Sequence, residues 1–200
     1  MDLKEYNKVK NLTYLEYCDY LQNKYGIGLG PYFKENWVKN PKITRTKEGL
    51  FAHHKYEDHA IMLSTLEYAK NNPYEWQLPE NLVYCNYLEH LLLHILICQY
   101  PAKNKNKHEN VGYGGVINFL VPELNDVYSG FMPVTGWKIK PYSVIKDHKD
   151  VYLQLIKKFK NIMKYDPNFT PLCLLSSWPY NKDLWSINNN LKLFNEILDL

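Results

Sequence analysis

The sequence predicts a mostly helical α+β protein folded as a single compact domain. Three observations carry that expectation. Nearly half of the 200 residues are hydrophobic, and 18 Tyr, 7 Phe and 5 Trp rule out a disordered chain. Most patterned segments repeat apolar residues at helical spacing. Only two short stretches, 49–53 and 81–85, read as strands.

Taken in order, Leu12, Leu15, Tyr17, Cys18 and Leu21 predict a helix over 12–25, stopped by Gly26. Gly28, Gly30, Pro31 and Pro41 punctuate a loop to Lys47. Gly49–His53 reads as a strand. Ile61, Leu63, Leu66 and Ala69 predict a second helix over 58–70, ended by Asn71-Asn72-Pro73. Asn81–Cys85 reads as the other strand, and Tyr87–Tyr100 as a helix stopped by Pro101. A Lys/Asn/Gly-rich loop spans 103–115, and helical patterns return at 116–127, 151–163 and 191–198. The chain divides into an N-terminal helical segment and loop (1–48), a central motif with an inserted helix (49–100), and a mainly helical C-terminal region packed on it (101–200).

Charge and cysteine usage exclude several classes. A net charge of +3 is too weak to imply a nucleic-acid partner by itself. Lysines cluster before the His53-His54 pair (Lys34, Lys39, Lys42, with Arg45 and Lys47) and after residue 100 (Lys103, Lys105, Lys107). Either cluster can meet phosphates, although a solvated surface is the plainer reading. Cys18, Cys85, Cys98 and Cys173 contain no CxxC pair, so neither a zinc ribbon nor a disulfide scaffold is expected. No apolar run has the length of a membrane helix, and the start lacks a signal-peptide pattern. A cytoplasmic protein with no membrane partner is therefore expected.

The histidines carry the chemistry. His90 and His94 stand at i,i+4, which places both imidazoles on one helix face, one turn apart. The helix around them is apolar on every side, and such a helix is normally buried. Buried imidazoles need partners for both ring nitrogens; a shared divalent cation would supply one to each ring, and backbone carbonyls are the alternative. A zinc-protease reading fails, because Leu91 stands where that motif needs a glutamate base.

The full order is a strand ending in His53-His54, an intervening segment, Asn81-Leu82-Val83, then Glu89-His90 and His94 on a helix. This order resembles the HNH (His-Me finger, ββα-metal) endonucleases, closest to the colicin-type DNases and phage or mobile-element HNH proteins. The nine positions from Asn81 to His90 agree with the colicin-type spacing. The resemblance covers about residues 49–99. It implies that His53, His90 and His94 hold one divalent metal ion: zinc, nickel, manganese or magnesium. It further implies that His54 is the general base for the attacking water, and that Asn81 fixes the loop and orients that base. The implied activity is hydrolysis of DNA phosphodiester bonds, with no nucleotide cofactor, in a phage, mobile-element or defence setting. Three imidazole ligands favour a transition metal over magnesium.

The sequence also departs from that pattern. Phe51 stands where colicin-type enzymes carry an acid two positions before the histidine pair, and Glu48, Glu57 or Asp58 are the nearby substitutes. Asn81 lies 27 positions after His54, a longer gap than in compact members of the family. Glu89 either braces His90 or faces a lysine or solvent. Cys85 and Cys98 read as buried hydrophobes, and Gly112–Gly115 as a hinge or turn. The other readings are a catalytically inactive HNH-fold protein that binds nucleic acid or a protein partner around a structural metal, and a metal-free helical module with core histidines.

Overall fold

A computed structural model describes residues 1–176 and 187–200. Two strands and nine helices are seen among them, and the mostly helical α+β class holds. Helix α1 (Leu3–Val9) is capped by the Asp2 carboxylate. Helix α2 (Tyr14–Tyr25) starts in a reciprocal capping box, in which Thr13 accepts from the Glu16 amide and Glu16 reaches back. Strands β1 (Phe51–His54) and β2 (Leu82–Cys85) pair antiparallel, with His53 opposite Val83 and His54 opposite Leu82. Helix α3 (Leu66–Lys70) lies between them in sequence, and α4 (Tyr87–Gln99) follows β2 after one residue. Beyond come a π turn at Gly115–Leu120, then α5 (Val121–Tyr128), α6 (Ile139–Ile145), α7 (Lys149–Met163), α8 (Cys173–Ser176) and α9 (Ile187–Leu198).

Helix α4 is the axis of the core. Its Leu88, Leu91, Leu92, Leu93, Ile95, Leu96 and Ile97 are fully buried. α2, the π turn, α6 and α7 all pack against it, which explains its lack of a polar face. α7 contributes Val151, Tyr152, Leu155, Ile156 and Phe159 at helical spacing. Its Lys160 turns away from that face and donates to the carbonyls of Ile197 and Leu198 at 2.9 and 3.1 Å, satisfying the end of α9. Of the neighbouring Lys157, Lys158 and Lys160, the last is thus structural.

Glu89 has no exposed surface, so it neither faces solvent nor braces His90. It accepts from the Asn86 amide as half of the α4 capping box, and also from Lys24 at 2.7 Å and the Tyr25 hydroxyl at 3.0 Å. It therefore ties α2 to the start of α4 and fixes the rotation of the helix that carries His90.

The helix expected over 58–70 shrinks to Leu66–Lys70. The carbonyls that would begin it are used elsewhere: Asp58 and His59 accept from the amides of Ala102 and Asn106, and the Ile61 amide donates to Glu109. Met62 adopts a left-handed φ of 57°, which interrupts a right-handed helix. The polar loop after α4 folds back and replaces the helical ladder with its own bonds. Similarly, the helical pattern at 116–127 is met by the π turn followed by α5. Among the described residues, no helix is long and apolar enough to cross a membrane.

Candidate metal centre

His53 reaches the site from β1, and His90 and His94 reach it from α4. Side chains alternate faces along a strand, so His53 faces α4 while His54 faces the opposite side. One nitrogen from each of His53, His90 and His94 lies within 4.8 Å of the other two, and this buried group could hold a metal ion. The His90 and His94 Nε2 atoms are 3.2 Å apart. Four donors at about 2.0–2.1 Å from one tetrahedral ion stand roughly 3.4 Å apart, so small side-chain turns bring the three imidazoles to that spacing.

Hydrogen bonds at Nε2 orient both rings of the histidine pair. Tyr14 donates its hydroxyl proton to the His54 carbonyl at 3.2 Å, so its oxygen accepts from His53 Nε2 at 2.9 Å. The Gln77 amide nitrogen donates to the Leu63 carbonyl, so its Oε1 accepts from His54 Nε2 at 3.0 Å. Both rings therefore carry their proton on Nε2 and present a bare Nδ1. Among the described residues neither Nδ1 has a hydrogen-bond partner, although both are buried. Each lies 3.6 Å from a Glu57 carboxylate oxygen, and His94 Nε2 lies 3.4 Å from the same carboxylate. Lone pairs facing a carboxylate have no attraction for it; a cation between His53 Nδ1 and Glu57 would supply the missing partner of that ring, while His54, outside the metal group, keeps its lone pair. The donor set and these orphaned nitrogens fit a divalent metal.

The electrostatics suit the same role. Burial pushes the His53 imidazole down to about 3, although Glu57 partly opposes the shift. Burial also holds His90 well below the usual imidazole value, and His94 below it. All three are neutral at pH 7, the form a metal ligand requires. Burial works against ionisation of Glu57, yet in acid, where the imidazoles around it gain protons, their charge, that of His53 foremost, holds its carboxyl below the ordinary range.

The other expected site residues fall as follows. His54 is fully buried, with its ring tilted against Tyr32 at 4.6 Å, and its bare Nδ1 meets the metal group only through Glu57. Asn81 sits in the turn before β2, where its amide donates to the Glu75 carbonyl at 2.7 Å. That bond closes the segment carrying Gln77, and Gln77 is the residue that grips His54. Asp58 pairs with His59 at 2.6 Å rather than with the cluster. Cys85 and Cys98 point their sulfurs toward backbone carbonyls.

Three participants gave no clear sign in the sequence. Tyr14 lies 39 positions before His53, and Gln77 lies in a loop insert without pattern. Gly115 belongs to the glycine cluster read as a turn. A Cβ there would fall 2.2 Å from His94 Nδ1, so the cluster exists to let the π turn pass over the imidazole.

Fold and site together define a mostly helical α+β protein whose small antiparallel sheet and central helix converge three histidines on one point. No protein-family model matches the chain, and no curated protein or solved structure matches it either.

Proposed function

We propose that this chain is a metal-dependent endonuclease of the HNH kind that hydrolyses DNA phosphodiester bonds. One observation carries the reading: a strand–strand–helix frame gathers His53, His90 and His94 within 4.8 Å, with the bare Nδ1 of His54 beside them. When bound, a divalent ion would supply a positive charge that polarises a phosphate oxygen and offsets charge on the leaving oxygen. His53, His90 and His94 would hold it, and three neutral nitrogens suit zinc or nickel better than magnesium. Tyr14 holds the His53 ring from behind. His54 Nδ1 takes the proton from the attacking water, and Gln77 keeps that ring in the tautomer able to accept it.

The complete burial of His54 favours a second reading, in which the metal is structural and the fold binds nucleic acid or protein without cutting. Plasmid cleavage with a panel of divalent metals separates the two. Wild type should nick or linearise the plasmid. His54→Ala should keep the metal and lose at least about a hundredfold in rate, the range of a general base. His90→Ala should lose both. Metal binding by wild type with no cleavage under any metal supports the structural reading. Equal cleavage by all three proteins overturns both.

A further inference from the structure

The carboxylate of Glu57 stands among the histidine nitrogens at distances that mean more than proximity. It lies 3.4 Å from His94 Nε2 and 3.6 Å from His53 Nδ1, while His94 and His90 are 3.2 Å apart. These are three of the six edges of a four-donor set and lie near the roughly 3.4 Å of a tetrahedron; Glu57 stands outside the 4.8 Å group of the three imidazoles and would turn inward to close it. The Glu57 side chain is only 15% exposed, so its charge is not neutralised by bulk water. Among the described residues no lysine or arginine pairs with it, and the groups at salt-bridge distance are His53, His54 and His94. Two of these face it with lone pairs. A buried anion placed in this way calls for a cation between it and the rings.

The backbone explains how it arrives there. The 3-10 turn Lys55–Asp58 follows β1 directly. It curls the chain so that a residue three or four positions after the histidine pair returns over both rings. Glu57 therefore reaches both rings from the C-terminal side of the pair.

We propose that Glu57 is the fourth donor of the metal centre, giving a three-histidine, one-carboxylate set in the resting protein; this rests on the metal-centre reading above. Its second oxygen lies 3.6 Å from His54 Nδ1. A substrate phosphate presents the same kind of anionic oxygen and enters by taking this corner.

Titration of the apoprotein with cobalt chloride tests the assignment, by calorimetry for affinity and by visible absorption for coordination number. Wild type, Glu57→Gln, Glu57→Ala and His90→Ala are compared, with circular dichroism of each apoprotein confirming its fold. Wild type should show the intense visible bands of a four-coordinate ion. Both Glu57 variants should bind at least about tenfold more weakly, since loss of even an outer partner of a ligand weakens binding by about 10–100-fold. Their bands should also shift as water fills the vacated corner. Unchanged affinity, or weaker affinity with an unchanged spectrum, overturns the assignment while leaving the three-histidine centre standing. Absence of binding by wild type, or full binding by His90→Ala, removes the centre itself and this inference with it. Should neither Glu57 variant fold, the wild-type spectrum decides alone: the faint bands of a six-coordinate ion would refute the closed donor set.

Discussion

Acidifying the metal-free protein from pH 7 to 4.5 should sharply lower the urea concentration at which it unfolds. His53, His90 and His94 are all held below the unfolded imidazole value of 6.5, chiefly by burial, with His53 at about 3. Between that value and 6.5 the unfolded chain binds more protons than the native one, so stability rises with pH across the window and is lost as pH falls through it. Each imidazole that stays neutral contributes a slope of about 1.4 kcal/mol per pH unit. Glu57 adds in the same direction lower down, since its carboxyl is also depressed. Saturating divalent metal should move the loss to lower pH, because bound imidazoles resist protonation. His90→Leu should flatten the slope by removing one of the groups. A midpoint that does not move between pH 7 and 4.5 would mean that these rings are solvated, which the fold does not allow.

Gly115→Ala should damage the metal centre more than any other single-methyl change. The added Cβ would sit 2.2 Å from Nδ1, 2.3 Å from Cε1 and 2.7 Å from Cγ of His94. No rotation of a methyl relieves that overlap, so either the ring or the π turn at Gly115–Leu120 must shift. Overpacking of this kind destabilises by about 1–3 kcal/mol. Moving His94 also pulls a donor off the common point, so zinc affinity should fall at least about tenfold. Gly114→Ala is the matched control: its Cβ would meet only Asn118 at 3.6 Å, an ordinary contact. If both variants retain wild-type affinity and stability, His94 is not held where the fold places it.

The parts of this structure that were legible in the sequence are those set by short-range pattern. The i,i+4 pair on an apolar run located α4 and the shared face of His90 and His94. Short apolar stretches bounded by turns located both strands to within two residues. What could not be read depended on distant partners. The helix expected over 58–70 shortened because the loop at 102–106 takes its first carbonyls, a competition invisible to local periodicity. The hold on His54 falls to Gln77, and the hold on His53 to Tyr14, through contacts that no spacing rule connects. Glu57 was visible as an acid near the pair, but only the turn after β1 shows that it reaches both rings. The glycine cluster read as a turn because its second task, giving room to an imidazole, belongs to tertiary packing.

The central claim is that nitrogens from His53, His90 and His94 share one cation. X-ray absorption at the zinc edge, on purified protein loaded with one equivalent of zinc, addresses it directly. The expected result is a shell of light-atom donors at about 2.0–2.1 Å with outer scattering from three imidazoles and no sulfur. A sulfur shell at about 2.3 Å, or zinc that washes out without stoichiometric binding, would contradict it.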